Sequence, residues 1–229
     1  MYFSLISSIP GQERDAAHER LRGAYFEHQW LWNFFPAVAG TTRDFQFRRH
    51  DLDGLPRFYV VSRSAPVSPF RYWQVQSKRY APSLAAGDCF VFELRANPVV
   101  TSRDASGKAA RHDVVMWEKT RLLRERNLAR WADWLTSDRP TLPDLVERKC
   151  GEWLKARCQR LGISVDDQTL RADGYSQHRG KNGELKFSTI DFSGQLRVVD
   201  PAALQTALFY GVGHAKAFGC GLLLIRPLG

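Results

Sequence analysis

Gly211–Gly229 reads GVGHAKAFGCGLLLIRPLG. Glycine falls at 211, 213, 219 and 221, all ahead of one apolar run, Leu222–Ile225. Glycine permits positive φ and close backbone approach, so such spacing argues against a helix interior and for a loop. A loop of this kind presents backbone N–H groups that can hold an anion. His214 and Lys216 add side-chain donors to it. Asp200-Pro201 reads as a helix start, with Asp as N-cap and Pro at the first helical position. The predicted order is short helix, glycine loop, buried strand. Dinucleotide and P-loop motifs run from strand into helix, the reverse of this order, and no GxxxxGK[ST] occurs. A phosphate backbone is the anion that remains.

Composition points the same way. The chain has 229 residues, 44% of them hydrophobic, enough for one large domain or two small ones. Lys plus Arg number 33 against 24 Asp plus Glu, a formal charge of +9, which favours a polyanionic partner. Cys89, Cys150, Cys158 and Cys220 lack zinc-ligand spacing and read as reduced thiols of a cytoplasmic protein. Residues 1–9 are apolar without a basic leader, so no signal peptide is expected, and no run is long enough to span a membrane. Neither HExxH nor an acidic cluster is present, so no metal or other cofactor is expected.

Working outward, residues 1–9 read as a strand ended by Pro10-Gly11, and residues 24–35 as a largely buried helix, AYFEHQWLWNFF. On its 3.6-residue period Tyr25, His28, Leu31, Trp32 and Phe35 share a face. Asp53-Gly54 joins two β-like runs as a hairpin, and residues 72–80 and 89–96 read as further strands. Residues 101–113 read as a polar loop and 114–135 as a helix carrying Arg121, Arg124, Arg126 and Arg130. Pro140 and Pro143 mark a domain boundary, giving domains 1–138 and 139–229. A helix at 145–161 ends on Gly162, and a strand is expected at 163–172. Asn182-Gly183 centres a hairpin over 175–190 that carries His178, Arg179, Lys181 and Lys186, with a further strand at 195–199. Each half suggests the β-α-β-β-α-β unit, although the second helix of the first half has no clear place. No RNP1 run occurs, so stacking of single strands in the usual RRM manner is not expected.

The terminal glycine stretch resembles the C-terminal motif of the CasE family, the CRISPR-associated endoribonucleases of type I-E Cascade. The similarity extends to Tyr25-x-x-His28-x-x-Leu31-Trp32-x-x-Phe35-Pro36, to residues 82–98 (PSLAAGDCFVFELRANP) and to residues 187–201 (FSTIDFSGQLRVVDP). It implies an α+β protein of two tandem ferredoxin-like (RRM-like) domains, antiparallel sheets with helices on one face. It implies an endoribonuclease that binds the stem-loop of CRISPR repeat RNA and cuts at the 3′ base of the stem. The product would carry a 2′,3′-cyclic phosphate, and the mature guide RNA would be kept within Cascade beside its other subunits.

A lone histidine on an apolar helix is more often a packing residue. The resemblance instead gives His28 and Tyr25 catalytic roles. Metal-free attack by the 2′-hydroxyl needs a base, an acid and cations around the phosphorane. Histidine, with a pKa near 6.5, serves either proton transfer, while tyrosine orients or donates a hydrogen bond. Arg179, Lys181 and Lys186 of the basic hairpin are expected on the RNA, with Gly211, Gly213, His214, Lys216, Gly219 and Gly221 of the terminal loop. The alternative is a non-catalytic RNA-hairpin-binding subunit in which His28 only packs.

Overall fold

A computed structural model describes residues 1–19, 24–35, 44–103, 106–179 and 186–228, without the side chains of 24–26. The chain divides into two compact units, Met1–Leu84 with Gln205–Leu224, and Ala85–Leu204 with Ile225–Gly229.

The first unit begins β1 (Tyr2–Ser8), α1 (Glu13–Glu19), α2 (Ala24–Trp32), β2 (Phe45–Leu52), β3 (Leu55–Ser62) and β4 (Trp73–Arg79). Its strands lie in the order β2-β3-β1-β4, all neighbours antiparallel. That is the ferredoxin-like order. Asp53 and Gly54 both take positive φ, 53° and 75°, as the two-residue hairpin turn requires. Side-chain alternation sends Phe47, Phe58, Val60, Ile6 and Trp73 to one face, where Trp30, Leu31 and Phe34 complete the core. Trp30 lies 4.6 Å from Trp73 and 4.8 Å from Phe34, centroid to centroid. The crossover from β3 to β4, residues 63–72, contains no helix and carries Pro66 and Pro69. A proline inside a helix removes a hydrogen bond and clashes with the preceding turn.

The second unit continues with β5 (Cys89–Ala96), β6 (Val99–Arg103), β7 (Ala109–Asp113), α3 (Val114–Glu125), α4 (Leu142–Leu161), β8 (Ile163–Val165), β9 (Arg171–Arg179) and β10 (Lys186–Val198). Then come α5 (Pro201–Tyr210) and β11 (Leu223–Pro227), each shared between the two units, which divide after Leu204 and after Leu224. The sheet order β11-β5-β10-β8 repeats the ferredoxin-like arrangement, and β9 pairs with β10. The indole of Trp153 on α4 stacks on Phe192 of β10 at 6.0 Å and 4°. Gly162, left-handed at φ 68°, ends α4 as expected.

Several expectations need correcting. Residues 101–103 and 109–113 are strand and not loop: β6 and β7 pair with Val99 opposite Asp113 and Arg103 opposite Ala109. Both faces of this pair are largely exposed, so the sequence carries no hydrophobic alternation to reveal it. The helix from 114 stops at Glu125, because Asn127 takes φ 55°. Residues 186–198 form one long strand where two runs were expected, and the strand begun at Ile163 ends at Val165. Residues 89–96, read with the first half, pair along their whole length with β10. The expected boundary at 138/139 therefore falls between α3 and α4, within the second unit.

Candidate active site and nucleic-acid interface

His28 sits mid-helix on α2, half-buried, with its ring 6.3 Å from that of Phe45. One turn on, Trp32 Nε1–H donates to His28 Nε2 at 3.2 Å. An indole nitrogen only donates, so Nε2 is the acceptor and the neutral ring carries its proton on Nδ1. Neighbouring Glu27 is 6% exposed and accepts from Arg49 Nη1 at 2.5 Å. Burial works against the Arg49 charge, but Asp51 and Glu27 outweigh it and hold its pKa above the ordinary value. Tyr25 lies on the same helix, one turn before His28, and its side chain falls outside the described residues.

The glycine segment joins this helix within the first unit. Asp200 caps α5 as expected, its Oδ1 accepting from the N–H groups of Ala202 and Ala203 at 2.9 and 3.1 Å. After α5 the chain turns through Gly211 and Gly213 into one 3₁₀ turn, Lys216–Phe218, which packs against α2 and β2. Much of the segment's hydrogen bonding is internal. Val212 N donates to Gly221 O, Phe218 N to Ala215 O and Gly219 N to Lys216 O. Lys216 Nζ donates to Tyr210 O at 2.6 Å, where a cation suits the carbonyl end of α5. Gly211 and Gly221 are required by this packing. A Cβ on Gly211 would lie 2.0 Å from Gln46 Oε1, and one on Gly221 2.7 Å from Val212 O. Gly219 is buried against the ring of Phe47. His214 is exposed and Gly213 partly so.

The basic hairpin belongs to the second unit. Arg179 and Lys186 are exposed and directly opposite each other in the β9–β10 register. Like charges facing across a ladder repel, unless an anion lies over them. The next pair inward, His178 and Phe187, stacks at 4.6 Å, and His178 Nε2 bonds Thr189 Oγ1 at 2.9 Å. Burial and the Arg95 charge hold His178 below its ordinary pKa. Lys181 lies outside the described residues. Three of the arginines on α3 and the following turn pair with carboxylates: Arg121 with Glu118 and Glu125, Arg126 with Asp138, Arg130 with Asp133. Among the described residues, no three His, Cys, Asp or Glu side chains gather as metal ligands would. No described helix is long and apolar enough to cross a membrane.

The family described as CRISPR associated protein matches residues 1–227. This chain belongs to that family. Within it, the chain is 30% identical over 210 residues to the CRISPR system Cascade subunit CasE of Escherichia coli K12, covering 90% of this chain and 94% of that one. It is 29% identical over 159 residues to the CRISPR-associated endoribonuclease Cse3 of Thermus thermophilus, covering 66% and 61% of the two chains. Its fold is similar to the crystal structure of the CRISPR-associated protein Cas6e from E. coli K-12, with a TM-score of 0.62 at 25% identity and full coverage of both chains. For this CRISPR-associated protein, sequence reasoning placed Trp32 on the face of His28 but missed its indole as the hydrogen-bond partner. The signal was the i, i+4 spacing of a donor and an acceptor.

Proposed function

We propose that this chain is the endoribonuclease that cuts the CRISPR precursor transcript at its repeat hairpins and stays with the mature guide RNA among the other Cascade subunits in the cytoplasm. Its relatives named Cascade subunit CasE and endoribonuclease Cse3 support the reading. The observation that carries it to a site is His28, held on α2 by Trp32, with the terminal glycine segment packed on the same helix. In the reaction the 2′-oxygen attacks the adjacent phosphorus, the bond to the 5′-oxygen breaks, and the 2′,3′-cyclic phosphate forms without a metal. One proton leaves the 2′-hydroxyl and one reaches the departing 5′-oxygen. His28 carries one of these transfers, and Tyr25 orients the groups. Arg179, Lys181 and Lys186 take phosphates of the stem, and Gly213, His214 and Lys216 present the terminal segment to the RNA. Gly211, Gly219 and Gly221 shape that segment.

The rival reading, a binding subunit without catalysis, draws on the same Trp32 bond, which would satisfy a histidine that only packs. Single-turnover cleavage of a repeat hairpin in excess EDTA separates the two. Wild type is expected to cleave there, and His28→Ala to be slower by about 10²–10⁴-fold. Hairpin affinity should stay near wild type, because positioning rests on phosphate contacts elsewhere. Cleavage by folded His28→Ala at the wild-type rate would remove His28 from the site. Loss of wild-type activity in EDTA, with the hairpin still folded, would remove the metal-free mechanism.

A further inference from the structure

The first sheet has a second face, turned away from α2. Cross-strand register arranges it in three rows: Gln46–Val61–Phe3–Lys78, Arg48–Tyr59–Leu5–Gln76, and His50–Arg57–Ser7–Gln74. Gln46, Val61 and Arg48 are buried. Phe3, Leu5, Arg57 and Tyr59 are half-buried, and His50, Gln76 and Lys78 are exposed. An aromatic stripe crosses this face. His50 lies 6.3 Å from Tyr59, Tyr59 6.0 Å from Phe3, Phe3 5.4 Å from Tyr80 and Tyr80 5.7 Å from Phe209. Phe3 and Tyr59 stand on the two central strands, their planes 29° apart. Lys78 Nζ lies 5.9 Å from the Phe3 ring centre, and Arg57 is the cross-strand neighbour of His50.

Two features choose the occupant. Half-exposed aromatic rings on central strands offer flat surfaces for unstacked bases, a contact that tolerates any base. The three rows hold Lys78, Arg48, Arg57 and His50, and no carboxylate at all. A protein surface would bring mixed charges, whereas a nucleic-acid strand brings one phosphate per base. Strand β3, LPRFYVVS, does not match RNP1, so no sequence motif advertises this arrangement. It comes from topology, which sets Phe3 beside Tyr59.

We propose that this face binds single-stranded RNA, with bases stacked on Phe3 and Tyr59 and phosphates against Lys78 and Arg57. It would take an unpaired stretch of transcript, and it does not depend on the role of His28.

The test uses the full chain and a fluorescent oligouridylate of about ten nucleotides, which forms no hairpin and matches the span that aromatic platforms of this kind occupy. Phe3→Ala and Tyr59→Ala should each raise Kd by about 5- to 150-fold, while Phe3→Tyr and Tyr59→Phe, which keep the rings, stay near wild type. Lys78→Gln and Arg57→Gln should each flatten the slope of log Kd against log salt by about 0.7. Folded alanine variants that bind oligouridylate as wild type does would overturn the proposal, as would a wild type that ignores it. If an alanine variant fails to fold, the Lys78 and Arg57 variants decide: an unchanged salt slope overturns the proposal. Cleavage of the repeat hairpin is read separately, so a protein that cuts nothing yet binds oligouridylate through its rings would sink the enzyme and keep the platform.

Discussion

Gly211→Ala measures what the terminal glycine segment does for the fold. Gly211 sits at φ 75°, where an L-residue costs about 1–2 kcal/mol. Its new Cβ would meet Gln46 Oε1 at 2.0 Å and Gly221 O at 3.0 Å. Gln46 is 3% exposed, and its Nε2 donates to Leu208 O at 3.0 Å, a carbonyl in the last turn of α5. The amide must move, and a displaced buried hydrogen bond costs about 1–3 kcal/mol. The sum, about 2–5 kcal/mol, is a large part of ordinary domain stability. At about 2–4 °C per kcal/mol for a chain of this size, the melting temperature falls by about 4–20 °C. The assay is urea unfolding of a four-member cycle with Gln46→Ala. In the Gln46→Ala background the glycine substitution should cost only its backbone share, about 1–2 kcal/mol. Hairpin affinity, measured well below the melting midpoint, should stay near wild type. An equal cost of Gly211→Ala in both backgrounds would refute the contact argument. A hairpin affinity lost while stability holds would put Gly211 on the RNA.

Two further outcomes concern the second unit. His178 has its folded pKa depressed below 6.5, first by burial and then by Arg95, so its share of stability is present above pH 6.5 and is lost as the pH falls through the folded value. An NMR titration should give His178 a midpoint below 6.5 that rises in Arg95→Gln, and a midpoint at or above 6.5 would contradict this. Asp113 Oδ1 caps α3 through Val115 N and Met116 N, both at 2.8 Å, while its Oδ2 accepts from Tyr175 Oη at 3.0 Å. Asp113→Ala should therefore cost about 1–3 kcal/mol in urea unfolding, with Asp113→Asn recovering most of it, and a loss under about 0.5 kcal/mol would show the cap to be dispensable.

Local signals were legible in the sequence, and pairing partners were not. The Asp53-Gly54 turn, the Asp200-Pro201 helix start and the Gly162 cap each depend on two or three adjacent residues, and each lies where the sequence put it. The partner of Cys89–Ala96 is decided about a hundred residues away, at Ile190–Arg197, so a reading along the chain assigned that strand to the wrong half. The β6–β7 hairpin escaped because exposed strands need no apolar alternation. In the candidate site, Tyr25 and His28 stood out through their resemblance to a family motif, whereas periodicity alone marked them as packing residues. The aromatic stripe was invisible for another reason. Its rings come from positions 50, 59, 3, 80 and 209, and only the strand order makes them neighbours.

The same strand order explains why the strongest sequence signal lies at the chain's end. With prolines in residues 63–72, the first repeat has no second crossover helix, and β2 is an edge strand. An edge exposes unpaired backbone and invites association unless something covers it. Gln205–Leu224, which runs from the second half of α5 through the glycine segment into the start of β11, belongs to this first unit and reaches β2 at two points, Leu208 O on Gln46 and Gly219 on Phe47. The glycines at 211, 219 and 221 are thus spent on close approach to β2 and to the segment's own backbone. Three of the amides that made the loop look like an anion cradle, those of Val212, Phe218 and Gly219, are committed inside it. We therefore assign any anion held by this segment to its more exposed tip, around Gly213 and His214. A glycine-rich motif read as one function therefore separates into two: a segment packed on the edge strand, and a short exposed tip to which we assign the RNA contact.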